Sequence, residues 1–333
     1  MEIEPIFNKN AIVLFSDDNY ISYAKVVVQS IIETSNCTSK YDIVILSDAD
    51  LDNTFNALDN ISVRIMKTGI DLEQYNLYES GSISKAAYYR LFIPKLFSKY
   101  DKVLYLDCDL VLIKNIDELF DIDFENNVIM AVPEFCFWKL LNKKDKFIPK
   151  EFKSNKEYYD KFLGLNEDNA YINSGVILFD IKKANEFQFT EKCLDLIKNN
   201  PYNFFLYHDQ DIINSICKNH IHFLGDVYNY MWCFVSSYAY SVRLPRKNLM
   251  EERDVYKSLL DDAKIIHYAS RAKPWLKPYY DYKLGMYWWN YAKNTNLFHS
   301  LLNKLSKTVK MNVLSNLENQ KIEIKSHSDF VLP

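Results

Sequence analysis

KVLYLDCDLVLI, from Lys102 to Ile113, contains two carboxylates, Asp107 and Asp109, inside a run of apolar residues that reads as a buried strand. Residues two apart on an extended strand point to the same side, so both carboxylates are expected to face one spot. Burying them without partners is unfavourable, and a divalent cation is the usual relief. The stretch therefore predicts a strand that leads into a metal site. A structural ion pair is the alternative.

Four other short apolar runs, at 11–15, 41–47, 127–132 and 174–180, also read as buried strands. Residues 20–34 carry apolar side chains at helical spacing between the first two runs. Strands that alternate with helices predict an α/β fold with a mostly parallel central sheet. Only 6 Gly and 9 Pro occur, which argues against modules joined by linkers, so one compact domain is the simplest prediction.

Composition makes several classes of protein improbable. The formal net charge of -4 provides no field that would demand nucleic acid as a partner. No run approaches the roughly 20 apolar residues that a membrane-spanning helix needs, and the acidic N-terminus with Glu2 and Glu4 is unlike a signal peptide. The six cysteines form no C-x-x-C pair, which argues against a zinc site or a disulfide framework. These features predict a protein of the reducing cytoplasm.

Two segments differ from the rest in charge. Residues 139–161 hold eight Lys against four acidic residues, and the alternatives are a solvated helical excursion or a lid. From Tyr282 to Leu317 there is no Asp or Glu, and this stretch is either helices packed on the domain or a cationic surface for an anionic bilayer. The predicted division is a main domain at 1–285, which includes the basic insertion 139–161, and a basic, mostly helical tail at 286–333.

The position of the acidic pair suggests its chemistry. Open α/β sheets bind ligands beyond the carboxyl ends of their strands, where the predicted strand 102–107 ends. A cation held by Asp107 and Asp109 would neutralise the charge that builds on a departing nucleotide diphosphate, as in a glycosyl or phosphoryl transfer. The D-x-D triplet alone is weak evidence, because the sequence contains it five times and solvated loops or helix caps explain most copies.

Six motifs follow one another along the chain: FSDDNY (15–20), YYRL (88–91), KVLYLDCDLVL (102–112), YINSGVILFD (171–180), YHDQDIIN (207–214) and IHYASRAKPW (266–275). Their order and approximate spacing are similar to those of glycosyltransferase family eight. The chain therefore resembles that family, which includes glycogenin and the bacterial lipopolysaccharide galactosyl- and glucosyltransferases, over roughly residues 10 to 280. The resemblance implies a GT-A type, Rossmann-like nucleotide-sugar-binding domain followed by a C-terminal helical tail.

The resemblance also implies a set of ligands for the metal. Asp107 and Asp109 match the family's metal pair, and His267 matches a third protein ligand. Mixed oxygen and imidazole ligation suits Mn²⁺, and Mg²⁺ is the alternative. The last motif of the family usually carries a glycine where this chain has Ser270, and glycine tolerates backbone conformations that serine resists.

Donor-binding and catalytic residues are implied in the same way. Residues matched to the bound nucleotide sugar are Asp17, Asn19, Tyr20 (on uracil), Arg90, Asp107, Cys108, Asn173, Ser174 and Lys273 (at the diphosphate). The implied catalytic set is Gln210, near the anomeric carbon, with Asp209 and Arg90. Because glutamine is a poor nucleophile, same-face attack guided by the leaving diphosphate is the favoured account of retention, with Asp209 and Asp211 as fallback nucleophiles.

Together these matches imply a metal-dependent, retaining hexosyltransferase that uses UDP-glucose or UDP-galactose. The expected acceptor is a cell-surface glycan, a glycolipid or a lipopolysaccharide core. The tail leads us to expect peripheral contact with the cytoplasmic face of the inner membrane. Two alternatives stay open: a self-glucosylating primer like glycogenin, and a non-catalytic protein that binds nucleotide sugars.

Overall fold

The computed structural model describes residues 2–47, 55, 59–79, 85–135, 137–141, 148–231, 250–269, 273–276 and 282–310. Ten strands lie within these ranges. They are β1 (Asn10–Phe15), β2 (Tyr41–Leu46), β3 (Ile61–Met66), β4 (Lys102–Leu106), β5 (Leu110–Leu112), β6 (Ile129–Pro133), β7 (Ile172–Asp180), β8 (Ile221–Phe223), β9 (Tyr230–Met231) and β10 (Ile265–His267). Each of the five predicted strands is present, with ends shifted by one or two residues.

Seven of these strands form the central sheet, in the order β3-β2-β1-β4-β7-β6-β8. Strand β7 runs antiparallel to both of its neighbours, and the other adjacent strands are parallel. The prediction of a mostly parallel sheet is therefore confirmed. The smaller sheet has the order β5-β10-β9, with β10 antiparallel to β5 and parallel to β9.

The acidic pair lies where the chain passes from one sheet to the other. Strand β4 ends at Leu106, residues 107–109 form a turn, and β5 begins at Leu110 in the smaller sheet. The expectation that Asp107 and Asp109 share one face of an extended strand is therefore wrong. The turn places the carboxylates at the carboxyl edge of the parallel strands, which is the expected edge for a ligand.

Nine helices are bounded within the described ranges, and a further helix covers 298–310. The nine are α1 (Ile21–Thr34), α2 (Ile93–Leu96), α3 (Phe137–Leu140), α4 (Asn155–Tyr158), α5 (Ile181–Glu186), α6 (Phe189–Lys198), α7 (His208–Cys217), α8 (Met250–Ser258) and α9 (Tyr282–Ala292). Helix α1 confirms the helix predicted at 20–34. Shorter helical turns are 3₁₀ helices at Leu72–Gln74, Lys85–Phe92, Asp117–Asp121, Asp226–Tyr228 and Leu259–Asp261, and a π-helical turn at Tyr159–Leu163.

The core has two layers, one on each face of the central sheet. Alternate residues of β1 belong to different layers because side chains alternate along a strand: Val13 lies in one layer, while Ile12 and Leu14 lie in the other. A third cluster joins α1 to the smaller sheet and α9, where Trp275 stacks on Tyr23 with ring centroids 4.2 Å apart.

The position that the sequence suggested for the start of the tail, 286, falls inside α9. Trp288 of this helix is fully buried against α1. In the insertion 139–161, residues 148–161 are described in full, and their aromatic side chains Phe152, Tyr158 and Tyr159 are buried while Lys150 and Lys153 are exposed. Among the described helices, none has the length and apolar character needed to cross a bilayer.

Candidate active site

The predicted metal ligands come together although they lie on different segments. Asp107, Asp109 and His267 each offer an atom within 4.8 Å of the others. Nε2 of His267 lies 3.0 Å from Oδ1 of Asp109 and 3.6 Å from Oδ2 of Asp107. Ligands at right angles on a cation, each about 2.1 Å from it, lie about 3 Å apart, so this donor set fits a small divalent ion.

Gly175 makes this close approach possible. A Cβ atom at residue 175 would lie 2.3 Å from Cε1 of His267 and 2.7 Å from Oδ2 of Asp107. Real Cβ atoms essentially never approach other atoms so closely, and the histidine is held by the sheet behind it, where it pairs with Leu110. Glycine is therefore required here for steric reasons, and the space it leaves is filled by the ligand side chains.

Positive groups surround the acidic pair. The ammonium group of Lys273 donates to Oδ2 of Asp109 and, at 2.8 Å, to the carbonyl of Tyr268. Burial alone would raise the pKa of Asp109, but Lys273 and His267 outweigh it and hold this pKa well below its usual range. Asp109 is therefore ionised at neutral pH and paired with Lys273.

The buried guanidinium of Arg90 joins three groups of the site. Nη2 donates to Oδ1 of Asp107 at 3.0 Å, Nε lies 3.1 Å from Oδ2 of Asp209, and Nη1 donates to the Ser174 hydroxyl at 2.8 Å. The guanidinium lies over the ring of Tyr105, with Cζ 4.3 Å from the ring centroid. Burial lowers the pKa of Arg90, but the two carboxylates more than offset this and raise it. Arg90 therefore fixes the relative positions of β4, β7 and α7.

The acidic residues of the YHDQDIIN motif have different environments. Asp209 faces Arg90 and Ser174, and burial raises its pKa to about 6 even though Arg90 opposes the shift. Asp211 points away from this cluster, accepting hydrogen bonds from the hydroxyls of Tyr159 (2.9 Å) and Tyr171 (2.6 Å). Burial also raises the pKa of Asp211 to about 6. This geometry argues against Asp211 as a fallback nucleophile.

Gln210 lies in a polar network beside Arg90. Its Oε1 accepts from Nδ2 of Asn173 at 3.2 Å and from the backbone N–H of Ser174 at 3.0 Å. Its Nε2 donates to Oε2 of Glu134 at 2.9 Å. Asn173 and Ser174 lie inside β7, which begins at Ile172 rather than at the predicted 174. These side chains are therefore held on a strand and not in a loop.

The loop after β1 carries the predicted nucleotide-facing residues. Oδ1 of Asp17 accepts from the backbone N–H groups of Asn19 (2.9 Å) and Tyr20 (3.0 Å), which orders the start of α1. Asn19 is exposed. Burial, and next the charge of Asp109, raise the pKa of Tyr20, whose ring packs edge-on against Tyr23 with ring centroids 5.5 Å apart. Cys108 is buried and donates through Sγ to the carbonyl of Phe15 at 3.2 Å.

Four residues of the site were not predicted from the sequence as functional: Glu134, Asn229, Gly175 and Tyr105. Tyr105 donates to Oδ1 of Asp107 at 2.5 Å, and Asn229 contacts His267 Nδ1 at 2.9 Å. A glycine inside a predicted strand, in a chain with only 6 glycines, signals a close approach and could have identified Gly175. The other three give no local signal. Ser270, where the sequence departs from the family pattern, lies outside the described residues.

Solved structures with the same architecture include several glycosyltransferases. The bifunctional glycosyltransferase WbbM superposes with a TM-score of 0.75 at 24% identity, over 91% of this chain and 53% of that chain. This chain thus spans about half of WbbM. The galactosyltransferase LgtC, solved with donor and acceptor sugar analogues, superposes with a TM-score of 0.62 at 22% identity, over 86% of this chain and 96% of LgtC. Both support a GT-A fold.

Sequence relatives extend along most of the chain. General stress protein A of Bacillus subtilis (strain 168) is 24% identical over 275 residues, covering 79% of this chain and 86% of the relative. Lipopolysaccharide 1,2-glucosyltransferase of Escherichia coli (strain K12) is 27% identical over 269 residues, covering 78% of this chain and 71% of the relative.

The family comparison covers the same region as the six motifs. The profile described as glycosyl transferase family 8 matches residues 11–278, from β1 to just beyond the loop that carries Lys273. This range contains the acidic pair, His267, Arg90 and Gln210. With the GT-A architecture and the convergent acidic site, the match shows that this chain belongs to glycosyl transferase family 8.

Proposed function

We propose that this chain is a metal-dependent, retaining hexosyltransferase that moves glucose or galactose from a UDP-sugar to a surface glycan or lipopolysaccharide core. The observation that carries the proposal is the convergence of Asp107, Asp109 and His267 within 4.8 Å at the carboxyl edge of the sheet. A hexosyltransferase of this family needs a nucleotide-sugar donor, and the lipopolysaccharide glucosyltransferase relative supports the choice of acceptor.

Asp107, Asp109 and His267 are the proposed ligands of Mn²⁺, with Mg²⁺ as the alternative. When bound, the ion would act as a Lewis acid that neutralises charge on the leaving diphosphate. Lys273 provides a second positive charge at the same place: its ammonium contacts Asp109 and is proposed to contact the diphosphate once the donor binds. Asp17, Asn19 and Tyr20 are proposed to hold the nucleotide, with the Tyr20 ring on uracil and the backbone of Cys108 beside it.

The sugar is proposed to lie over the network on β7 and α7. Asn173, Ser174 and Asp209 present hydrogen-bonding groups there. Arg90 pairs with Asp209 and holds it ionised, so that its carboxylate can accept hydrogen bonds from the sugar hydroxyls. Arg90 itself is proposed to lie near the phosphate. Gln210 is proposed to lie beside the anomeric carbon, where its Nε2 is anchored by Glu134. Since an amide is a poor nucleophile, retention is proposed to follow from attack on the face that the diphosphate leaves.

The proposed acceptor side and membrane contact rest on charge. Exposed Lys150 and Lys153 of the basic insertion suit an anionic glycan near the acceptor side. Exposed Lys304, Lys307 and Lys310 on the helix 298–310 suit the anionic cytoplasmic face of the inner membrane. Removing the tail from 286 would expose the core around Trp288, so the test is replacement of these three lysines by Gln. Unchanged sedimentation with anionic vesicles would contradict the membrane contact.

The function is tested by the release of UDP from a panel of UDP-sugars, with Mn²⁺ and with a chelator. We expect hydrolysis of UDP-glucose or UDP-galactose that stops with the chelator and in Asp109→Ala. If no sugar is turned over while UDP still binds in a metal-dependent manner, the alternative of a non-catalytic binding protein gains support. If UDP does not bind, the proposal is wrong. A ladder of hexose additions to the protein itself would indicate a self-glucosylating primer instead.

A further inference from the structure

A chain of hydrogen-bonded side chains runs from the sugar side of the site to the metal side. Its members, in order, are Glu134, Gln210, Asn173, Asn229 and His267, and the contacts between them are 2.9, 3.2, 2.9 and 2.9 Å long. Three of the five are side-chain amides, which have an acceptor end and a donor end. The direction in which each amide points therefore decides which atom the next residue must offer.

Two backbone N–H groups set that direction. The N–H of Gly175 donates to Oδ1 of Asn173 at 3.0 Å, and the N–H of Ser174 donates to Oε1 of Gln210 at 3.0 Å. A backbone N–H can only donate, so the atoms that face it must be the amide oxygens. The orientations of Asn173 and Gln210 are thus fixed by β7 itself.

The orientation of Asn229 follows from that of Asn173. Because Oδ1 of Asn173 is an acceptor, the atom of Asn229 that faces it must be the donor Nδ2. The other end of the amide, Oδ1, then faces Nδ1 of His267 at 2.9 Å. An amide oxygen can only accept, so Nδ1 of His267 must carry a hydrogen. In the neutral imidazole, this leaves the lone pair on Nε2, the atom that faces Asp107 and Asp109.

Without Asn229, the opposite arrangement would be favoured. Nε2 of His267 lies 3.0 Å from Oδ1 of Asp109, and a carboxylate is a stronger acceptor than an amide oxygen. A hydrogen on Nε2 would then bond to Asp109 and block the lone pair that a cation needs. Asn229 is 0% exposed and His267 is 1% exposed. Because both are buried, water does not replace Asn229 as the partner of Nδ1 when its amide is removed.

We propose that Asn229 is a positioning residue that keeps the hydrogen of His267 on Nδ1 and so presents Nε2 to the metal. This inference rests on the proposed metal site and assigns Asn229 a role within it. Partners of metal-bound histidines typically change metal affinity by about 10- to 100-fold when they are removed. We expect a loss of Mn²⁺ affinity in that range for Asn229→Leu, which has the same number and branching of heavy atoms but no hydrogen-bonding group.

The test combines two measurements on the full-length protein. Long-range ¹⁵N–¹H NMR of histidine-labelled protein, without metal, reports which ring nitrogen of His267 carries hydrogen, and the resonances are assigned by their loss in His267→Gln. In the parent, we expect His267 to carry a hydrogen on Nδ1. In Asn229→Leu, we expect a larger population of the form with hydrogen on Nε2 and none on Nδ1. Asn229→Asp keeps a hydrogen-bond acceptor and should therefore retain the hydrogen on Nδ1. Titration of Mn²⁺, followed by the EPR signal of the free ion, gives the affinity.

A control for an asparagine-to-leucine change is Asn185→Leu, because Asn185 is an exposed asparagine that donates to the carbonyl of Pro94, away from the described site residues. It should leave both measurements unchanged. If the parent itself binds no Mn²⁺, the proposed metal site is wrong. If the parent binds Mn²⁺ but its His267 is the neutral form with hydrogen on Nε2, the metal site stands and the proposed role of Asn229 is overturned. This outcome is read from the parent alone, so it holds even if Asn229→Leu fails to fold. Equal Mn²⁺ affinity in a folded Asn229→Leu would overturn it as well.

Discussion

Nε2 of His267 lies 3.0 Å from Oδ1 of Asp109, although 158 residues separate the two in sequence. The smaller sheet creates this contact, because β10 ends at His267 and pairs with Leu110, the residue after Asp109. The backbone N–H of Tyr268 also donates to the carbonyl of Asp109 at 2.8 Å. The small sheet thus brings the third proposed ligand to the turn at which the acidic pair leaves the central sheet.

Replacing Asp109 by Asn should abolish tight binding of Mn²⁺. The substitution keeps the size of the side chain but removes the charge that balances Lys273 and the cation. Because even partners outside the ligand shell change affinity by about 10- to 100-fold, we expect a loss greater than 100-fold for a direct ligand. Isothermal titration of Mn²⁺ provides the measurement. Asp121→Asn, in the exposed triplet Asp121/Asp123, is the matched control and should bind as the parent does.

Gly175→Ala should disable the site through sterics alone. The added methyl group would lie 2.3 Å from His267 Cε1, so the histidine or the strand must move. Overpacking of this kind costs about 1–3 kcal/mol, and Mn²⁺ affinity should fall with it. Thermal unfolding and Mn²⁺ titration test both effects. Gly225→Ala is the control, since a methyl group there would meet its nearest atom, on Val227, at 4.0 Å. Parent-like Mn²⁺ binding by Gly175→Ala would refute the packing argument.

The sheet and the motif residues of the site could be predicted because their signals are local. Apolar runs mark β1, β2, β4, β6 and β7, and the resemblance places the acidic pair next to β4. The roles of Asn229 and Glu134 could not be predicted. They depend on the pairing of β9 with β10 and on the turn after β6, which bring distant residues to one another. A polar residue in a polar stretch gives no sign that folding will bury it beside a histidine.

The two aspartates of the YHDQDIIN motif also differ in a way that only the folded structure shows. The sequence alone does not distinguish Asp209 from Asp211, and it offers both as fallback nucleophiles. In α7 such residues point in different directions, one toward Arg90 and the other toward Tyr159 and Tyr171. Helical geometry, rather than any difference in residue type, separates their environments.

Asp211 should make the protein more stable in mild acid than at neutral pH. Its pKa is about 6 in the folded protein, against about 3.9 in an unfolded chain. Between these values the folded state holds a proton that the unfolded state lacks. The stabilisation is fully present below about pH 4 and is lost as the pH rises through 6, and it amounts to about 3 kcal/mol.

Urea unfolding of the parent and of Asp211→Asn at pH 4, 5, 6 and 7 tests this expectation. Asp209, whose pKa is also raised to about 6, is present in both proteins and cancels in the comparison. The difference in unfolding free energy between parent and variant should shift in favour of the parent as the pH falls from 7 to 4. A difference that stays constant across this range would show that Asp211 is ionised in the fold throughout.

Lys273→Met should separate metal binding from diphosphate binding. The ammonium of Lys273 already occupies one oxygen of Asp109, and Arg90 pairs with Asp107, so an arriving cation competes with the protein's own charges. Methionine keeps an unbranched side chain but removes the competing charge. We expect Mn²⁺ alone to bind about 10-fold more tightly, corresponding to about 1.4 kcal/mol. UDP in the presence of Mn²⁺ should bind more weakly, because the diphosphate loses its proposed cationic partner.

The control for this variant is Lys264→Met. Lys264 is half-buried, pairs with the carboxylate of Glu118 as Lys273 pairs with that of Asp109, and lies three residues before His267 in the sequence. It should change neither affinity. Weaker binding of Mn²⁺ alone in Lys273→Met would mean that Lys273 supports the cation site rather than competing for it. Unchanged binding of UDP would instead remove Lys273 from the diphosphate site. Only opposite shifts in the two affinities fit a lysine that leaves Asp109 for the diphosphate when metal and donor bind together.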